Sequence, residues 1–244
     1  MNVIEEWLGR YGKLHFSLID PDKQPPAEAG GKAERCGEFG TNAIMVGGTT
    51  VSSREMVHET VAEIKKRVDL PVILFPNSKE FLVENADYIF FMSLLNSRDY
   101  QHRFGEQLEG ASVVKKLGIK PIPTGYLVVS TSSTPTTVER KTNLDRVGEG
   151  DAGKAVKYAL YTEYTGMHCL YMDAGSNPMK PISDGMVKEV RDSISIPLII
   201  GGGIRDGETA RRKVEEGADI IVTGTAVEEN IEVVGEIIRE IKKA

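Results

Sequence analysis

Ile194-Ser-Ile-Pro-Leu-Ile-Ile-Gly-Gly-Gly-Ile-Arg205 reads as a buried strand, Leu198 to Ile200, that runs into three glycines and then a helix start at Asp206. Glycines admit positive φ and let backbone approach a ligand closely. A helix start offers unpaired N–H groups at the positive end of a dipole. The combination is a place for phosphate. A second such element follows at once in Ala218-Asp-Ile-Ile-Val-Thr-Gly-Thr225, another short apolar strand ending in Gly224 and Thr225. Two successive strands with phosphate-type loops suggest the last two units of a (β/α)8 barrel. The bland alternative is a pair of tight turns without a ligand.

The rest of the chain supplies the earlier units. A short helix over Val3 to Tyr11 leads, with Trp7 and Leu8 as its apolar contacts. Strands are expected at Leu14 to Ile19, Asn42 to Val46, Pro71 to Phe75, Tyr88 to Met92, Ile122 to Val129 and Cys169 to Met172. Helices are expected at Ala27 to Gly37, Ser53 to Arg67, Asp151 to Tyr164, Asp184 to Arg191 and Ile231 to Ile241. The Ser53 helix shows one apolar stripe of Met56, Val57, Val61 and Ile64. Ser97 to Leu117 is long, polar and moderately helical. Pro76 to Ala86 is too short and polar for a full helix, so the third helix is expected to be reduced or replaced by a loop. Ser130 to Thr137 is a polar Ser/Thr loop leading to a charged segment, Val138 to Asp145; such long loops are usually functional or mobile. Eight units with no linker predict one domain over 1–244, an α/β TIM barrel. An open doubly wound sheet fits the same alternation, but eight units in 244 residues favour closure.

Composition excludes several classes. Forty per cent apolar and 27% charged residues describe a soluble globular protein. No apolar run approaches the roughly 20 residues of a transmembrane span, and the Met1 to Arg10 stretch lacks a signal-peptide pattern. A net charge of −6 implies no surface for nucleic acid. Anionic ligands must be held locally, by N–H groups, a few cations or a metal. The two cysteines, Cys36 and Cys169, are far apart and read as packing residues of a reduced, cytoplasmic protein. The four histidines, His15, His58, His102 and His168, show no zinc spacing and read as structural or exposed.

Active sites of this fold sit at the C-terminal ends of the strands. There the sequence delivers Asp20 and Asp22, then Thr49 and Thr50, then Tyr126 with the Ser/Thr loop. Tyr171, Asp173, Gly175 and Ser176 follow, and last the glycines of the two opening loops. A carboxylate and a hydroxyl on neighbouring strands suit Mg²⁺, which prefers oxygen ligands. Asp20 is alternatively a turn residue before proline, and Asp173 alternatively a helix cap.

Asp20-Pro-Asp-Lys23, Val46-Gly-Gly-Thr49, Tyr171-Met-Asp-Ala-Gly-Ser176, Gly201-Gly-Gly-Ile-Arg205 and Gly224-Thr225 together resemble geranylgeranylglyceryl phosphate synthase. The resemblance covers nearly the whole chain, in the family's order, and includes the loop-like third unit. It implies prenyl transfer from a polyprenyl diphosphate, geranylgeranyl diphosphate in archaea, to the 3-hydroxyl of sn-glycerol 1-phosphate, a step of ether-lipid (membrane phospholipid) biosynthesis. By motif match, Asp20 and Thr49 would hold Mg²⁺ on the diphosphate. Tyr126, Tyr171, Met172, Asp173, Ala174, Gly175, Ser176 and Asn177, with Gly202, Gly203, Gly224 and Thr225, would form the substrate site. Asp173 would be the base for the glycerol hydroxyl. A homo-oligomer is also implied.

The chemistry is consistent with that resemblance. A diphosphate leaves readily only once a cation neutralises it. Burying a prenyl chain at about 0.8 kcal/mol per CH₂ supplies on the order of 10 kcal/mol gross, which requires a groove that the reduced third unit would open. The chain departs from the family pattern at two positions. Asp173 stands where many relatives carry Glu, and Leu18 where some carry lysine, with Lys23 as the nearby substitute. An isomerase or cyclase of the histidine-biosynthesis type also uses paired phosphate loops. It needs an acid or base at the end of strand five, where this chain has Val128-Val-Ser-Thr131 and no carboxylate until Glu139. A non-catalytic phosphate-binding barrel would explain the glycines but not Asp20, Thr49 and Asp173 together.

Overall fold

The computed structural model describes residues 2–244. Eight parallel strands close into a barrel in sequence order, with β1 (Leu14–Ile19) paired to β8 (Ile220–Thr223) through Leu14 and Ile220. Between them lie β2 (Ala43–Gly47), β3 (Val72–Phe75), β4 (Tyr88–Leu94), β5 (Lys120–Val128), β6 (Cys169–Asp173) and β7 (Leu198–Gly201). The closed barrel, not the open sheet, is therefore the architecture.

Strand side chains alternate between two cores, as the two-residue period requires. Phe16, Met45, Ile73, Phe90, Ile122 and Ile199 fill the barrel interior. Ile19, Ile44, Leu74, Leu127, Met172 and Ile200 face outward and pack beneath the helices. The leading helix α1 (Val3–Tyr11) starts at a capping box made by Asn2 and Glu5. It plugs one end of the interior with Ile4, and sets Trp7 edge-on to Phe16 and Tyr88 at ring separations of 6.0 and 5.2 Å.

The outer layer follows the expected helices to within a few residues at α2 (Pro26–Phe39), α3 (Arg54–Lys65), α6 (Ala152–Tyr164), α7 (Asp184–Arg191) and α10 (Glu232–Ile241); α8 (Gly207–Glu215) begins where a helix start was expected, and α4 (Glu106–Leu117) covers only the second half of the Ser97 to Leu117 segment. Ser53, Ser183 and Asp206 cap α3, α7 and α8 through their side chains. Two short helices add to these, α5 (Thr137–Lys141) at the start of the charged segment that follows the Ser/Thr loop and α9 (Thr225–Glu229) directly after β8. The polar stretch before α4 forms a π-helical turn, Gln101–Gly105.

The third unit has no helix. Between β3 and β4 there is a single 3₁₀ turn, Lys79–Phe81. These two strands also pair only through Ile73 with Tyr88 and Leu74 with Ile89. Past Leu74 their ends are no longer paired, and a cavity opens at that place.

Candidate active site

An aromatic layer floors the mouth of the barrel. Phe75 ends β3, and Tyr126 and Tyr171 stand on β5 and β6, with ring centroids 5.3 to 5.7 Å apart. The register that pairs Tyr126 with Tyr171 also pairs Val128 with Asp173. Asp173, the last residue of β6, turns its carboxylate back over this floor. Its Oδ2 accepts the Tyr126 hydroxyl at 2.6 Å, and its Oδ1 accepts the Gly175 N–H at 2.9 Å. Asp173 is 8% exposed. Burial pushes its carboxyl above the ordinary range, while the Tyr126 and Gly175 donors pull it back. Burial and the Asp173 charge push both tyrosine hydroxyls well up, so they stay protonated, and that of Tyr126 donates to Asp173. Each Asp173 oxygen retains a lone pair for one further proton donor.

The two opening loops meet over this floor. Gly202 and Gly203 have φ of 81° and 74°, which side-chain-bearing residues rarely adopt. A Cβ on Gly202 would lie 2.8 Å from the Ala174 nitrogen, and one on Gly203 would lie 2.8 Å from the Pro181 nitrogen. The β7 loop thus packs directly on the β6 loop, and its glycines serve that backbone-to-backbone packing. The helix start expected to offer free N–H groups is partly engaged: Asp206 Oδ1 accepts the Thr209 N–H at 2.7 Å, and Glu236 accepts the Gly207 N–H at 3.3 Å. No side chain caps α9, whose N-cap is Gly224. The N–H groups at the start of α9, by contrast, meet no capping side chain. Asn177, at φ 49°, accepts the Arg205 guanidinium with its side chain.

Asp20 follows β1 and caps a 3₁₀ turn over Pro21–Lys23, accepting the Asp22 N–H at 3.1 Å. A Cβ on Gly48 would sit 2.2 Å from Asp20 Oδ2, so the glycine makes room for the carboxylate beside Thr49. Asp20 is thus both the turn residue and a candidate ligand. Among the described residues no group of three or more His, Cys, Asp or Glu is arranged to hold a metal alone. Mg²⁺ needs fewer, since one or two carboxylates with waters and substrate phosphates suffice. Asp20 fits that role. Burial pushes its carboxyl up, against the Asp22 N–H that pulls it down, and burial likewise raises Glu228, with the Asp20 charge adding. A cation held there would relieve both.

These groups line one polar cavity of about 220 Å³. It gathers Asp20, Thr49, Tyr126, Tyr171, Asp173, Gly175, Ser176, Asn177, Gly202, Gly203, Gly224 and Thr225. Met172 and Ala174 are different: both are buried in the layer between barrel and helices, so their side chains do not reach the cavity. Leu18 lines the cavity without a charge, and Lys23 lines it too. Glu139, the first carboxylate after β5, is spent on capping: it accepts the Thr136 N–H at 2.7 Å, the Thr136 hydroxyl at 2.8 Å and the Ser130 hydroxyl. The acid that the isomerase alternative requires is therefore not available at that strand end.

A second, apolar cavity of about 250 Å³ lies where β3 and β4 part, lined among others by Phe90, Phe91, Met92, Leu94, Leu82 and Val114. The two cavities share Gly48, Thr49, Phe75, Tyr126 and Val138. The motifs did not reveal Val138, Lys141 or the α4 residues of this cavity, since a lining shared between a loop and a helix has no sequence period. The histidines and cysteines stay outside the polar site. His15 is buried between the hydroxyls of Thr41 (3.0 Å) and Thr223 (2.9 Å), and burial pushes it down to about 3. Both cysteines are free and buried, with burial pushing the Cys36 thiol up to about 11.

The comparisons with known proteins follow the same lines. The model of the PcrB family matches residues 2–244. Geranylgeranylglyceryl phosphate synthase of Pyrococcus horikoshii is 47% identical over 216 residues, covering 88% of this chain and 84% of that protein. The protein of the same name from Methanothrix thermoacetophila is 44% identical over 232 residues, 95% of this chain and 88% of that one. The crystal structure of (S)-3-O-geranylgeranylglyceryl phosphate synthase from Thermoplasma acidophilum, in complex with its substrate sn-glycerol-1-phosphate, superposes with a TM-score of 0.94 at 37% identity and covers 100% of both chains. With the barrel, its missing third helix and its paired cavities, these matches assign the chain: it belongs to the PcrB family, as the geranylgeranylglyceryl phosphate synthases' relative.

Proposed function

We propose that this chain transfers a polyprenyl group from its diphosphate, with geranylgeranyl diphosphate as the donor, to the 3-hydroxyl of sn-glycerol 1-phosphate. One observation carries the reading: a polar cavity holding a buried carboxylate joins an apolar cavity along a shared edge at Gly48 and Thr49. The reaction needs both halves, one for a small phosphate ester and one for a long hydrocarbon.

Glycerol phosphate would bind with its phosphate on the β7 and β8 loops, at Gly203, Gly224 and Thr225, and its hydroxyl end towards Asp173. The glycerol oxygen bonds to C1 of the prenyl group as the C1–O bond to diphosphate breaks. The hydroxyl proton passes to the Asp173 carboxylate, and diphosphate departs with the bonding pair. Burial raises the proton affinity of Asp173, which suits a general base. The Tyr126 hydroxyl fixes the orientation of that carboxylate. Asp20 and Thr49 would hold Mg²⁺, which would supply charge neutralisation to the leaving diphosphate. The aromatic floor and Val138 exclude water, so that water does not replace glycerol as acceptor.

A homo-oligomeric, cytoplasmic protein belongs to the same proposal. No helix among the described residues is long and apolar enough to cross a membrane. Light scattering tests the oligomer. The activity is tested by incubating the chain with Mg²⁺, sn-glycerol 1-phosphate and labelled prenyl diphosphates. The expected product is a prenylglyceryl phosphate ether. No lipid product from any prenyl donor would rule the reading out.

A further inference from the structure

A prenyl diphosphate with its tail in the apolar cavity and C1 turned towards Asp173 has to lay its diphosphate across the edge where the cavities meet. The cations reaching that edge differ in how they are engaged. Lys79 of the apolar cavity is paired with Glu109. Lys23 of the polar cavity interacts with Asp20 and Glu228. Lys141 ends α5 and lines the apolar cavity, and its ammonium donates to the carbonyl of Thr49, an edge residue, at 3.0 Å. Among the described residues it makes no other hydrogen bond and no ion pair with a carboxylate. An ammonium has three donors, so two remain for a ligand. In a chain of 36 acidic and 30 basic residues, a lysine held only by a neutral carbonyl is an uncommitted charge.

The segment carrying it is anchored. The Thr136–Glu139 capping box starts α5, the Ser130 hydroxyl also bonds Glu139, and Val138 inserts between the cavities at 7% exposure. Lys141 therefore reaches the edge from a fixed base and lines the apolar cavity, while Asp20 and Lys23 line the polar one.

We propose that Lys141 binds the diphosphate of the prenyl donor and stabilises its charge as it leaves. The proposal rests on the prenyl-transfer reading above and adds a residue to it. Lys141→Met removes charge and hydrogen bond, Lys141→Gln keeps a neutral donor, and Lys141→Arg keeps the charge. Calorimetry with inorganic pyrophosphate and Mg²⁺ should show roughly 10–100-fold weaker binding for the Met and Gln variants, as for loss of a charge-assisted contact. The KM for prenyl diphosphate should rise or kcat fall, with the KM for sn-glycerol 1-phosphate within about twofold of wild type. Lys141→Arg should recover most of the loss.

Wild-type pyrophosphate affinity in Lys141→Met overturns the proposal. So does wild-type behaviour of Lys141→Gln, which would reduce Lys141 to a tether for Thr49, and so does equal weakening of both substrates. If the wild-type chain makes no prenyl ether yet binds pyrophosphate through Lys141, the anion site stands and the prenyl-transfer reading falls.

Discussion

The Tyr126 hydroxyl donates a 2.6 Å hydrogen bond to Oδ2 of Asp173 across the neighbouring strands β5 and β6. The bond holds a buried carboxylate in one orientation at the floor of the polar cavity. Its cost is visible in the direction of the Asp173 titration, which burial moves up despite two donors.

That direction makes stability depend on pH. The folded carboxyl titrates above its unfolded value, so its contribution is complete below the unfolded pKa and is lost as pH rises through the folded one. Asp173→Asn removes the loss while its amide can still serve both Gly175 and Tyr126. The variant should match wild type in Tm near the unfolded carboxyl range, about pH 4 and below, and exceed it increasingly towards pH 7. The gain should be roughly 2–4 °C per kcal/mol relieved. Thermal unfolding across this range checks it; a variant less stable than wild type at pH 7 contradicts it.

The two phosphate loops should respond differently to added side chains. Gly203 has positive φ and no room for a Cβ against Lys180 and Pro181. Gly224 has φ −113°, and its nearest neighbour to a Cβ is Leu18 at 3.4 Å. Gly203→Ala should cost on the order of 1–3 kcal/mol. Gly224→Ala should stay within about 0.5 kcal/mol. Equal losses in denaturant titrations would mean that Gly203 is not needed for packing the β7 loop on the β6 loop.

Asp20→Ala should keep the fold, since only a short turn loses its cap, and reduce turnover by at least about 100-fold. Circular dichroism and a Mg²⁺ titration of activity check both parts. Near-wild-type turnover with undiminished Mg²⁺ dependence would remove Asp20 from the site.

Much of this was legible in the sequence because strand ends and glycines have a local signature. The barrel, the absent third helix, and the meeting of Asp20, Thr49, Asp173 and Gly202 follow from apolar runs that end in chemically informative residues. The Tyr126–Asp173 bond was not legible, since it depends on the register between strands distant in sequence. The start of α8 is engaged in a way the sequence does not announce: Asp206 accepts the Thr209 N–H, and Glu236, 29 positions on from Gly207, accepts that residue's N–H. Met172 falls inside a site motif but points outward, because a strand alternates its faces, and Ala174, just past the strand end, is buried in the same outer layer. Lys141 was hidden in a short charged segment without an apolar period, and its proposed role depends on a contact with Thr49 that spans 92 positions.

The central claim is that Asp173 takes the proton of the glycerol hydroxyl. Single-turnover ether formation, with prenyl diphosphate prebound and saturating sn-glycerol 1-phosphate, measures that step most directly. Asp173→Asn should slow it by roughly 10²–10⁴-fold while prenyl diphosphate affinity barely changes. Asp173→Glu should keep substantial activity. If Asp173→Asn turns over at the wild-type rate, the proton goes elsewhere, and the Tyr126–Asp173 pair serves only to hold the β6 loop.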